Sequence, residues 1–106
     1  MSADSHLDDV EREVQRVVDR LNSMPLARAS AATSDVYAAA GVLLEQTRHL
    51  DPEVPKGASL PELGPQGLGA MIAVLGQDWL DAARASSGPD VDPVLDALVT
   101  LRRALP

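Results

Sequence analysis

From Leu7 the apolar residues fall at Leu7, Val10, Val14, Val17, Leu21 and Met24, in steps of three and four that an α-helix gathers onto one face. This seam is zipper-like, and Val18 widens it. Asp8, Asp9 and Glu11 stand in its first turns and Arg16 and Arg20 near its end, the order that suits a helix dipole. Pro25 stops it, so the first helix is expected over about 5–23.

The same reading places three more helices. Val36, Tyr37, Ala39, Ala40, Leu43, Leu44, Thr47 and Leu50 share one face of a second helix over about 34–50. Its beginning is open: Pro25 can start a long helix, or a loop can last until Thr33 or Ser34 caps a shorter one, the reading adopted here. Asp51–Pro52 ends it. The segment "DPEVPKGASLPELGP", with four prolines in fifteen residues, shows no periodicity and reads as an ordered crossover over 51–64. Gly64 and Pro65 open a third helix over about 65–86, with Leu68, Met71, Ile72, Leu75, Trp79, Ala82 and Ala83 on one face and Val74 and Leu80 on its shoulders. Gly88 and Pro89 end it, and Asp92–Pro93 is expected to cap a fourth over about 93–104, with Arg102 and Arg103 complementing its C-terminal dipole. No run alternates with period two. The expected fold is all-α, a single domain over 1–106 forming an antiparallel four-helix bundle without β-sheet.

Composition narrows both the core and the function. With no Phe, one Tyr and one Trp, the interior has to be built from Leu, Val and Ala, which suits closely packed helices. Sixteen acidic against nine basic residues give a net charge of −7, which repels nucleic acid. Without cysteine there is no disulfide, thiolate ligand or thiol nucleophile. "MSADSHLDDVER" lacks the charge order of a secretory signal, and the apolar run Leu68 to Leu75 is far below the roughly 20 residues of a membrane span. A cytoplasmic location is expected, with no membrane partner.

The stretch "PELGPQGLGAMIAVLGQDW" suggests a phosphate cradle at first sight. It lacks a third spaced glycine, a preceding strand and a P-loop lysine, so it reads as a helix start. Gly67, Gly69 and Gly76 then need compensation from a close neighbour, expected at Ala39 and Ala40 of the second helix. Glu45 and His49 are spaced to share a metal, with Asp51 or Glu53 nearby, and His6 and Asp9 form a second such pair. Both sets are short of the ligands a bundle site needs, and Glu45 and His49 fall on the solvent side. No metal, cofactor or catalytic residue is assigned; Ser34, Ser86 and Ser87 are explained as helix-end residues.

"RLNSMPLARA" (20–29) and "AVLGQDWLDAARA" (73–85) resemble short uncharacterised helical proteins of actinobacteria. The resemblance implies an all-helical fold and no activity. From the residues themselves, the leading expectation is a non-enzymatic interaction or assembly module, a homodimer that buries the first or third helix. Val10, Val14, Val17, Tyr37, Met71, Val74, Trp79 and Leu80 are the candidate interface or pocket residues. The alternative is a small-ligand-binding protein or enzyme accessory with a pocket between helices two and three lined by Tyr37, Met71 and Trp79. A third reading, an acidic antagonist of a basic partner, follows from charge alone.

Overall fold

The computed structural model describes residues 3–54 and 60–105, and side chains from His6 onward. Residues 55–59 of the crossover, with the single lysine Lys56, lie outside the described residues. The described residues form five α-helices: α1 (Ala3–Ser23), α2 (Leu26–Ala31), α3 (Thr33–Leu50), α4 (Leu68–Arg84) and α5 (Asp92–Ala104), with a 3-10 turn at Pro65–Gly67 leading into α4. Among the described residues there is no strand.

The α1 seam is internal. Leu7, Val10, Val14, Val17 and Leu21 are all buried, and α1 packs against α4 and α5. On the other side α3 packs against the same two helices, so α4 and α5 are each sandwiched between α1 and α3. Directions follow from the residues that meet. Asn22 lies against Gly69 and Val14 against Gly76, so α1 and α4 run in opposite senses. Glu13 binds Arg102, while His6 lies beside Pro89 to Asp92, so α1 and α5 run in the same sense. Tyr37, near the start of α3, binds Leu63 just before α4, whereas Thr47 and Asp51 border the same hollow as Asp81 and Ala85 at the far end. Hence α3 and α4 are also parallel. The contacts are compatible with a four-helix bundle in which two long helices run each way.

The crossover makes the parallel pair possible. The eighteen residues of α3 span about 27 Å, and the thirteen residues between Asp51 and Pro65 reach roughly 40 Å when extended, enough to return the chain to the end where α3 began. Tyr37 ties this strap down. Its hydroxyl donates to the Pro61 carbonyl at 2.5 Å and accepts the Leu63 N–H at 2.9 Å. Tyr37→Phe is expected to lower stability by about 1 kcal/mol and to speed hydrogen exchange at the Leu63 amide, measured by NMR.

Several ends differ from the sequence expectation. Pro25 does start a helix, but only the six residues of α2; the axis breaks at Ala32, where φ is −90° and ψ is 0°, and α3 begins at Thr33. Neither Thr33 nor Ser34 caps α3, because Ala32 occupies the N-cap position and accepts the Val36 N–H through its carbonyl. Ala32 is itself buried, so the junction between α2 and α3 is packed into the core and is not a solvent loop. At α5 the N-cap is Val91, and Asp92 is the first helical residue, its N–H bound by the Asp90 carboxylate at 3.1 Å. The third expected helix is divided between the 3-10 turn and α4 and ends at Arg84.

The glycines of α4 are compensated by a different helix from the one expected. A methyl at Gly76 would lie 2.9 Å from both γ-carbons of Val14, and one at Gly69 would meet the Asn22 side chain. Gly67 is covered by Leu63. The close approach is therefore to α1 and the crossover, not to Ala39 and Ala40, whose small side chains are buried elsewhere in the α3 packing face.

Among the described residues two polar side chains, Thr47 and Glu13, are buried, and both are satisfied. Thr47 donates to the Leu43 carbonyl one turn earlier, at 2.7 Å. Glu13 binds Arg102, as described below.

Candidate functional site

The candidate interface and pocket residues separate into two groups. Val10, Val14 and Val17 are covered within the chain by α4 and α5, and Trp79, Leu80 and Met71 are buried in the same core. Leu80 lies inward, not on a shoulder: it is 1% exposed, because α4 is flanked by both α1 and α3. Tyr37 is half-buried and its hydroxyl is committed to the crossover. A hollow does lie between α3 and α4, lined by Leu44, Thr47, Leu75, Asp78 and Asp81, but neither Tyr37 nor Trp79 lines it, and Met71 lines a different one. Val74 alone of the eight remains open, at 59% exposed.

Around Val74 there is a cleft that the sequence did not single out. It is lined by Pro61, Leu63, Ala70, Met71, Val74 and Leu75, where the returning crossover lies against the outer side of α4. Met71 is buried and Leu75 half-buried, forming the floor; Leu63 and Val74 stand on the rim. The geometry is fixed from below. Tyr37 holds the backbone on both sides of Glu62, and the Leu63 side chain closes over Gly67, whose missing Cβ would sit 3.1 Å from Leu63 Cβ. A larger residue at 67 would displace the rim.

The walls contain no titratable side chain, and the polar groups nearest the rim, the Pro61 carbonyl and Leu63 N–H, are already paired with Tyr37. Such a surface binds by removing apolar area from water. It offers no nucleophile or base. Farther along α4 the outward positions become Gln77, Asp78 and Asp81, so the apolar strip ends after about two turns.

The metal candidates do not converge. Glu45 pairs with Arg48 at 2.7 Å and lies 3.8 Å from His49, which is exposed; the Asp51 carboxylate accepts the Glu53 N–H. Among the described residues no three His, Asp or Glu side chains gather as a metal would require. None of the described helices is long and apolar enough to cross a membrane.

The most constrained polar contact was not anticipated. Glu13, on α1 between the seam residues, is 7% exposed and receives Arg102 Nε at 2.8 Å and Nη2 at 3.1 Å. Arg102 stands in the last turn of α5, as the dipole reading expects, and its side chain also crosses to α1; that hydrogen bond, followed by the carboxylate charge, raises its pKa. Spacing within one helix carries no signal for a partner 89 residues away.

Searches against protein-family models, curated proteins and solved structures find no match to this chain.

Proposed function

We propose that this protein is a non-enzymatic interaction module that self-associates through the α4 cleft, with its function in the cytoplasm. The observation that carries the reading is a preorganised apolar cleft flanked by exposed Leu63 and Val74 on a chain whose other large apolar side chains, apart from Leu26, are mostly withdrawn from water. A second copy is the economical occupant, because a twofold axis across the cleft presents the same strip to itself and lets each Val74 meet the Leu63 rim of its partner. Stable association requires roughly 1,200 Å² of total buried area, more than the cleft alone supplies, so neighbouring surface of α4 and the crossover has to take part.

The α1 seam plays no part in this interface, since its residues are spent on the internal core. Each copy carries −7, so repulsion opposes the dimer and added salt should strengthen it, the reverse of a charge-driven contact. Sedimentation at high micromolar concentration is expected to give the mass of two chains. Val74→Asp should return it to one chain with the melting temperature nearly unchanged, because residue 74 already faces solvent. A wild-type protein that stays at one chain in high salt would remove the reading.

The second reading, a small apolar ligand in place of the second copy, is favoured by the same lining and by the absence of charge on the walls. A thermal-shift screen separates the two: a ligand raises the melting temperature without doubling the mass.

A further inference from the structure

We propose that the α1/α5 seam carries an anion site, formed by Arg16, Arg20 and Arg102, that takes a phosphate dianion, free or as a small phosphomonoester. The site lies on a different face from the α4 cleft and does not depend on it.

The argument begins with the stripe on α1. Arg12, Arg16 and Arg20 recur at intervals of four and so lie one above the other. Arg12 is engaged with Asp9 at 3.3 Å. Arg16 and Arg20, with Asp19 and with Arg102 from α5, line one surface hollow. Arginine on an exposed helix is ordinarily a mobile cation, but two of these three are held.

Buried Glu13 is the clamp. Its Oε2 accepts Arg102 Nε, and its Oε1 accepts both Arg102 Nη2 at 3.1 Å and Arg16 Nη1 at 3.4 Å. Two guanidiniums from two helices thus converge on one carboxylate oxygen, one cation more than that carboxylate neutralises. The fork of Arg102 fixes its plane, and a guanidinium has five N–H donors, so Arg102 retains three and Arg16 four for a ligand. Arg16 remains 55% exposed and Arg102 34%, so those donors are reachable. Arg20 adds a third cation one turn along, and its guanidinium has no partner among the described residues.

Asp19 decides the ligand class. It lines the same hollow, where its carboxylate accepts the Gln15 amide at 2.8 Å and opposes any anion. Three guanidiniums against two carboxylates leave one net positive charge, too little to hold a single carboxylate against water. A tetrahedral dianion gains twice the attraction and presents enough oxygens to receive donors from α1 and α5 at once.

The experiment follows the arginine Nε–Hε signals of the intact chain by NMR during titration with inorganic phosphate at pH 8, and separately with glycerol 3-phosphate, against sodium chloride at matched ionic strength. Saturable shifts of Arg16, Arg20 and Arg102 with either phosphate, at millimolar affinity and absent with chloride, support the site; saturation by the ester alone assigns it to organic phosphates. Arg20→Gln, which removes no internal contact, should weaken binding about fivefold, and Asp19→Asn should tighten it by a similar factor, with circular dichroism unchanged for both. The tightening is the more telling arm, because a merely structural Asp19 would not oppose a ligand. Linear shifts that chloride reproduces, or an affinity indifferent to both substitutions, overturn the proposal.

Discussion

Trp79→Ala is expected to lower the stability of the folded chain by about 3–5 kcal/mol, enough to leave much of a domain of this size unfolded at 37 °C. Trp79 is 1% exposed and the largest fully buried side chain. The buried core is otherwise built from Leu, Val, Ala, Ile and Met, and the other ring packed against it, Tyr37, is held by its hydroxyl to the crossover at Pro61 and Leu63. Urea unfolding followed by circular dichroism measures the loss. Trp79→Leu should recover part of it, since it returns apolar volume without restoring the shape. If Trp79→Ala costs under about 1 kcal/mol, Trp79 does not anchor the packing of α4 between α1 and α3.

The second large effect is expected at Gly76. Alanine normally stabilises a helix interior by up to about 1 kcal/mol over glycine. Here the new methyl would lie 2.9 Å from both γ-carbons of Val14, a β-branched side chain with little rotamer freedom, so α1 and α4 must separate. Gly76→Ala should therefore destabilise by about 1–3 kcal/mol. In the Val14→Ala background the obstruction is gone and the same change should become neutral or favourable, a coupling that a double-mutant cycle isolates. Gly41 is the control: nothing lies within 4 Å of a methyl placed there, and Gly41→Ala should add up to about 1 kcal/mol. Equal effects at 41 and 76 would show that helix propensity, not contact with α1, governs both.

The helices were legible because each buries one stripe, and a stripe is a local pattern. Val10, Val17, Val36, Leu43, Ile72, Leu98 and Leu101 repeat at helical spacing and are all buried. Prolines and glycines marked the breaks at Pro25, Asp51–Pro52, Gly64–Pro65 and Gly88–Pro89. Less legible was the bend at Ala32, a buried residue at the junction of α2 and α3 that carries no turn-forming side chain. Of the candidate site residues, only Val74 stands at the cleft rim, because periodicity separates a wet face from a dry one but does not say which neighbour covers the dry one.

What the sequence by itself determined is the all-helical class, the positions of the long helices and the inward side of each, since these follow from spacings of three and four and from residues that cannot continue a helix. Tertiary structure alone decided which helix lies against which: that α1 and not α3 closes on Gly76, that Glu13 finds Arg102, and that the crossover returns beneath Tyr37 to build the cleft beside Val74. Each of these joins residues many turns apart, and a choice among apolar faces of similar chemistry is settled by the shape and volume of the whole core, which no local pattern encodes.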